Sequence, residues 1–400
     1  MALWRGGRAE MEPGAKVKPY EVIGYDHEGL PVHAPLGGKV REVGDFPHLL
    51  ARPKQFDFPR LTVFIEVERK QVESVVPYKP LPRFWELAHR ELCQRLLEAG
   101  VMDVCHQDLP RAVILNALDL EPPLSANLRL LEERTAQALE GMRILCQLHN
   151  AVRARLALPA GFPQLEARLR AMLASSVNLS LHLVEPVYPQ GHTRLLNNEI
   201  FPEERCSIYD VTQAIRVQEA VTLGRPVVES FITVRNDCEK TIKNAAAFIG
   251  TPAGHVLWSD EVETKLWRHA SAGEQEASPA VSRTDPCRNL SLIFGGLMSG
   301  QGYYSLEMPV QADTKGLLLI EQKRSATTPC NNCGACHQRC PVRLHPSEIY
   351  RQVLRLETKR LASLGLDKCL NCGLCSWVCP SKLDLLQQIA VGRMLLEGRL

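Results

Sequence analysis

The chain has 400 residues, 45% hydrophobic and 23% charged, the composition of an ordinary globular protein large enough for two to four domains. Lys and Arg total 47 against 45 for Asp and Glu, a net charge of +2 with no long run of either sign, which excludes a polybasic nucleic-acid binder as the leading reading. No stretch is continuously apolar enough to span a bilayer, and the opening MALWRGGRAEMEPG lacks the apolar core of a secretory signal.

Residues 1–18 are Gly-rich and charged and are expected to form a flexible terminus. From 20 to 76, short β-like runs alternate with Gly and Pro. In RLTVFIEVER the residues Leu61, Val63, Ile65 and Val67 share one face, which predicts a strand. Lys39, in GGKV, reads as an ordinary strand lysine rather than the modified lysine of a lipoyl-type hairpin. The pattern then changes. FWELAHRELCQRLLEAG predicts a helix, 111–118 a strand, 125–148 one long helix, ARLAL a strand, PQLEARLRAMLA a helix and 179–184 a strand. That alternation argues a parallel sheet with crossover helices. Asp210 can cap a further helix, closed by Gly224 and Pro226, ahead of the strand VVESFITV. Residues 270–288 are polar and read as a surface loop. A last β-like stretch, TKGLLLIEQ, precedes the linker KRSATTP.

Cysteine is the compositional anomaly, with 14 in the chain. Cys93, Cys105, Cys146, Cys206, Cys238 and Cys287 are isolated from one another and are expected to be small apolar side chains. Cys105-His106 offers too few ligands for a metal site. The other eight form two runs, Cys330-x2-Cys333-x2-Cys336-x3-Cys340-Pro341 and Cys369-x2-Cys372-x2-Cys375-x3-Cys379-Pro380. This is the cubane-binding pattern of two-cluster bacterial ferredoxins, in which the fourth cysteine of each run serves the other cluster. Cys330, Cys333, Cys336 and Cys379 are therefore expected on one [4Fe-4S] centre, and Cys369, Cys372, Cys375 and Cys340 on the other. Zinc more often takes two separated Cys-x2-Cys pairs. Gly334 and Gly373 let the backbone turn close to the cluster. Between the runs, a single helix is expected with Ser347 as its N-cap, Ile349, Val353 and Leu356 on one face, and Gly365 at its end. His337 is expected near the surface beside a cluster, the thiolate set being complete without it. Thiolate-held iron implies a reducing compartment.

Several segments, in order, resemble the RnfC-type subunit of the Rnf electron-transport complex, a family related to the A-type subunit of sodium-translocating NADH:quinone reductase and to the complex I flavoprotein subunit. They include PVHAPLGGKV, NALDLEPPLSANLRLL, EGMRIL, YPQGHTRLL, AVTLGRPVVESFITV, IFGGLMSG, MPVQADTKGLLL and both cysteine runs. The resemblance implies a multidomain α/β and α+β chain: a barrel-sandwich hybrid over 19–80, shortened at its amino-terminal half, and a Rossmann-like parallel sheet over 83–205. A β-grasp (SLBB-like) domain over 206–268, a loop and return β segment over 269–321, and an α-helical ferredoxin-like domain over 325–400 would follow.

Members that oxidise NADH carry a GGAGFP-type loop, where bare backbone N–H groups meet flavin and dinucleotide phosphates. Here EAGVMDVCHQDLPRAVILNALDLEPP has no glycine between Gly100 and the strand. FMN is accordingly not expected, and Asn116, Asp119 and Glu121, at positions resembling the family's flavin side, would be remnants. Gly295, Gly296 and Gly300 match a family turn and lack the context of a dinucleotide fingerprint. The resemblance thus implies an electron-transfer subunit, rather than a stand-alone catalyst, with two [4Fe-4S] clusters and no catalytic side chain. Its partners would be other redox subunits, a ferredoxin or flavoprotein donor and a membrane subunit, on the cytoplasmic face. The alternatives are an NADH-dependent FMN/iron-sulfur oxidoreductase of the RnfC or cobalamin-reductase type, and an assembly module whose clusters are structural.

Overall fold

A computed structural model describes residues 2–3, 7–26, 28–45, 61–68, 75–102, 108–119, 121–258, 290–303, 305–321 and 326–398. Cys105, His106, Cys287, the 270–288 loop and the first residues of the KRSATTP linker lie outside them.

Among the described residues, the amino-terminal part holds seven short strands. They are β1 (Ala2–Leu3), β2 (Arg8–Ala9), β3 (Lys16–Val17), β4 (Val22–Tyr25), β5 (Pro31–His33), β6 (Gly38–Asp45) and β7 (Leu61–Val67). They form one sheet in the order β1-β7-β6-β3 and a second in the order β2-β4-β5, packed around Val17, Ile23, Ala34, Val40 and Val63. Where a flexible terminus was expected, β2 and β3 pair into these sheets. Short edge pairings are enough to order a polar segment that has no periodicity of its own. On β7 only Val63 of the expected face is fully buried, and its neighbour Thr62 is buried too, because the strand is covered on both sides. Lys39 sits exposed on β6, opposite Lys16 and Glu66, as an ordinary strand residue.

The second unit is a four-stranded, wholly parallel sheet. Its strands are β8 (Ala112–Asn116), β9 (Arg153–Pro159), β10 (Leu179–Val184) and β11 (Ser207–Asp210), in the order β10-β9-β8-β11. Every residue of β8 is buried, as a central parallel strand covered on both faces requires. Helices α1 (His89–Glu98), α2 (Ala126–Glu133), α3 (Thr135–Leu148), α4 (Pro163–Leu173), α5 (Thr193–Ile200) and α6 (Val211–Gln218) accompany it. The Phe84–Glu86 segment is a separate 3-10 turn, so the first predicted helix starts only at His89. The long helix expected over 125–148 is two helices. Arg134 between them leaves helical geometry at φ −120° and ψ 39°, with its guanidinium drawn over the Phe231 ring and towards Glu219. Asp210 does cap α6, accepting the Gln213 N–H at 2.7 Å in a capping box. Strand β11 and α6 belong to this sheet, so the unit runs past the expected limit at 205.

A five-stranded mixed sheet follows, with β12 (Glu229–Asn236), β13 (Thr241–Phe248), β14 (Leu290–Phe294), β15 (Gln301–Tyr303) and β16 (Gly316–Glu321) in the order β13-β12-β16-β14-β15. The helix α7 (Ala253–Leu257) packs against it. The parallel β12–β16 pair joins the first and last strands. The segment read as a separate return is thereby the centre of the sheet. Cys238, at the end of β12, is disulfide-bonded, and so is not the isolated apolar thiol expected.

The carboxy-terminal unit is helical: α8 (Ala335–Gln338), α9 (Pro346–Leu354), α10 (Thr358–Ser363), α11 (Leu374–Trp377) and α12 (Leu385–Leu396). It is an internal repeat. Asn332 and Asn371, Gly334 and Gly373, and Arg343 and Lys382 are paired at one constant interval, with φ of 58° and 56°, 75° and 73°, and 56° and 54°. The linking helix differs from expectation. It is capped at His345, not Ser347, with Pro346 as its first residue, and it stops at Leu354. Leu356 turns left-handed (φ 55°) and is 68% exposed, off the face shared by the buried Ile349 and Val353.

Candidate metal centres and the crevice beside them

The two cysteine runs interlock. Cys340, from the first run, lines one cavity with Cys369, Cys372 and Cys375 of the second, closed by the buried Leu344, Leu370 and Ile389. The Leu344 N–H points at Cys340 Sγ (3.3 Å) and the Asn371 N–H at Cys369 Sγ (3.4 Å). Burial pushes the Cys375 thiol up to about 12 and raises Cys369 and Cys372 as well. Apolar walls thus oppose thiolate charge here, which a cationic group between the four sulfurs would offset. Among the described residues, no three His, Cys, Asp or Glu side chains are placed to hold a single metal ion; the four thiols border one space, and thiols are the donor set of an iron–sulfur cluster.

On the other side, Cys336 and Cys379 are buried in the same apolar core, Cys330 is half-buried and Cys333 is exposed. Two bonds staple the chain before Cys330 to the chain after Cys379: Thr328 N–H to Ser381 O (3.1 Å) and Ser381 Oγ to Pro329 O (2.9 Å). His337 stacks on His345 with centroids 3.8 Å apart, and its Nδ1 bonds the Leu344 carbonyl (2.7 Å). It is half-buried and serves the fold of the loop.

The crevice at the carboxyl ends of β8 and β11 lies where the chain order reverses, the usual ligand position in such sheets. Several of its side chains are bonded to other groups of the chain. Asn116 Nδ2 donates to the Gly191 carbonyl (2.9 Å) and Asn116 Oδ1 accepts the Leu118 N–H (3.0 Å). Asp119 accepts the Asn127 and Leu128 N–H groups at the start of α2 (2.9 and 3.3 Å). Lys315 is ion-paired with Asp210 at the same crevice. Glu121 is buried and reaches away to the 295–300 turn, accepting the N–H groups of Met298 (2.6 Å) and Ser299 (3.1 Å) and the Ser299 hydroxyl (2.7 Å). Gly295, Gly296 and Gly300 do form the expected turn, with Gly295 at φ 98° and Gly300 N–H bonded to Gly296 O.

That turn touches the second cysteine run. A Cβ at Gly373 would lie 2.2 Å from the Met298 carbonyl oxygen, whereas one at Gly334 would meet nothing within 4 Å. Tyr188 donates to the Cys372 carbonyl, and Arg194 Nη1 bonds the Asp367 and Lys368 carbonyls (3.4 and 3.2 Å). Tyr188 and Arg194 lie in YPQGHTRLL and Met298 in IFGGLMSG. Nothing in those strings signals these distant contacts, and only their family match drew attention to them.

Burial pushes the Asp119 carboxyl up to about 6. The folded chain then holds this proton more tightly than the unfolded chain. Its contribution to stability is full below about pH 4 and is lost as pH rises through 6, about 3 kcal/mol in all. Urea unfolding at pH 5 and pH 7 should show a little under half of that loss, about 1 kcal/mol, in the wild type and a flatter dependence in Asp119→Asn.

Residues 102–222 match the Nuo51 FMN-binding domain and residues 329–383 the 4Fe-4S dicluster domain. The C-type subunit of the ion-translocating oxidoreductase complex of Rhodobacter capsulatus is 28% identical over 394 residues, covering 91% of this chain and 70% of that protein. Its counterpart in Erwinia tasmaniensis is 26% identical over 347 residues, covering 80% of this chain, which spans only 40% of that relative's length. An NAD+-reducing [NiFe]-hydrogenase in the H2-reduced state aligns with a TM-score of 0.47 at 16% identity, over 81% of this chain and 65% of that one. The match to an FMN-binding domain gives no support to the expectation that FMN is absent. Among the described residues no helix is long and apolar enough to cross a membrane. The chain is RnfC-like, a mixed α/β protein that joins a parallel-sheet segment of the Nuo51 FMN-binding type to a 4Fe-4S dicluster domain.

Proposed function

We propose that this chain is an iron–sulfur electron-transfer subunit of a larger oxidoreductase complex, with its nucleotide crevice converted into a structural joint. The observation that carries this reading is the cavity shared by Cys340, Cys369, Cys372 and Cys375. Those four would hold one [4Fe-4S] cluster, and Cys330, Cys333, Cys336 and Cys379 the other. Such clusters, when bound, supply one-electron storage without a proton. The chain's own part is to fix eight thiolates on two left-handed loops, to exclude water with Leu344, Leu370 and Ile389, and to aim backbone N–H groups at sulfur, which tunes potential. The first two sheets read as a barrel-sandwich hybrid, and the five-stranded sheet as a β-grasp domain whose 295–300 turn buttresses the second loop. The names of the relatives support partners within an ion-translocating oxidoreductase complex; in this reading the complex is membrane-bound, the chain sits on its cytoplasmic face, and a ferredoxin, a flavoprotein or another redox protein is the donor.

The residues at the crevice do not fit FMN. Asn116 and Asp119 are engaged by the chain's own groups, Glu121 is turned to Met298 and Ser299, and no bare glycine cradle follows Gly100. The match over 102–222 favours a second reading, an NADH-dependent flavin and iron–sulfur oxidoreductase. Anaerobic purification with quantified iron, acid-labile sulfide and acid-extracted flavin separates the two. Iron and sulfide for two cubanes with no flavin is the expected result; a stoichiometric isoalloxazine would establish the second reading, and zinc alone would overturn both.

A further inference from the structure

The two cysteine loops are near-identical in backbone, yet among the described residues a guanidinium is bonded to the backbone of the second. Arg393, on α12, donates from Nε and Nη2 to the Leu366 carbonyl (3.2 and 2.9 Å), from Nη2 to the Cys369 carbonyl (3.0 Å) and from Nη1 to Asn371 Oδ1 (3.1 Å). Asn371 in turn directs its N–H at Cys369 Sγ. All of these acceptors are neutral, so the charge of Arg393 is left to act on the loop. The corresponding position in the first half of the repeat is Leu354, 61% exposed and uncharged.

We propose that Arg393 sets the potential of the second-run centre, making two equivalent cysteine loops electronically unequal. This rests on the cluster reading above. Adding one electron makes a thiolate-ligated cluster more negative by one charge and adds no proton. A guanidinium held a few ångströms away stabilises the reduced form more than the oxidised one and raises the midpoint potential. Its planar fork also fixes the Leu366–Asn371 backbone, so the residue has a charge role and a shape role that must be told apart.

The test is EPR-monitored redox titration of the anaerobically purified full chain, with dithionite as reductant, in wild type, Arg393→Gln and Arg393→Lys. Cys369→Ser identifies which signal belongs to the second-run centre. Arg393→Gln is expected to lower the midpoint of that centre and leave the other unmoved. Arg393→Lys keeps the charge without the fork and is expected to stay near wild type. Unchanged midpoints in Arg393→Gln, a shift confined to the first-run centre, or an equal fall in Arg393→Lys would each overturn the proposal. If Arg393→Gln loses its iron, Arg393→Lys decides alone: a retained midpoint supports the charge role and a lowered one overturns it. A wild-type protein without two cubanes would instead refute the cluster reading, which iron and sulfide analysis reports separately.

Discussion

Replacing Cys340 with serine is expected to alter the centre whose other three thiols come from the second run, although Cys340 belongs to the first. The expectation stands on position. Cys340 shares its cavity with Cys369, Cys372 and Cys375, while the first-run loop is stapled through Pro329 and Ser381 to the chain that follows Cys379. A serine oxygen is a harder, more basic ligand than a thiolate and disfavours iron in a cubane. The measured result should be loss, or a marked change, of one of two low-temperature EPR signals, with iron and sulfide falling towards those of a single cubane. Cys379→Ser should change the other signal. If Cys340→Ser alters only the signal that Cys330→Ser alters, the exchange of fourth ligands does not occur in this chain.

Gly373→Ala and Gly334→Ala are predicted to differ sharply despite equivalent places in the repeat. Both glycines are left-handed, at φ 73° and 75°, so each alanine costs about 1–2 kcal/mol in backbone strain. Gly334 has open space where its Cβ would go. At Gly373 the new carbon falls 2.2 Å from the Met298 carbonyl oxygen, and backbone cannot swing aside as a side-chain end can. Relieving that overlap requires the 295–300 turn to move, and the turn is held by three bonds to the buried Glu121. A further penalty of about 1–3 kcal/mol is expected from overpacking. Thermal unfolding should fall several degrees more for Gly373→Ala. Limited proteolysis should also release the carboxy-terminal unit earlier. Equal losses in the two variants would mean that the turn does not press on the second loop.

The prediction about Asp119 belongs with that about Gly373, because both probe the seam between the body and the cluster unit. Asp119 ties the end of β8 to α2, Glu121 ties the same segment to the 295–300 turn, and Met298 carries the contact on to Gly373. Residues resembling a flavin-side motif here take part in holding three units together. A buried carboxylate that accepts three donors is costly to disturb, since any donor left behind is unsatisfied.

Short-range chemistry made much of this protein legible in the linear sequence. Cysteine spacing announced two cluster loops, strand–helix alternation announced the parallel sheet of β8 to β11, and Asp210 announced the start of α6, because each depends on residues only a few positions apart. Where the sequence reading failed, the decisive partner was distant. Arg134 breaks a helix that its local pattern would continue, within reach of Glu219 and Phe231. The polar residues 8–9 and 16–17 become strands because β4 and β6 offer edges. Leu356 leaves the apolar face because the chain must turn there to start α10. The inequality of the two cysteine loops is invisible in their motifs, whose cysteines, glycine and proline fall at the same spacing. Only the folded chain sets the Met298 carbonyl against Gly373 and the Arg393 guanidinium against Cys369, because packing joins residues by distance in space, which residue spacing does not encode.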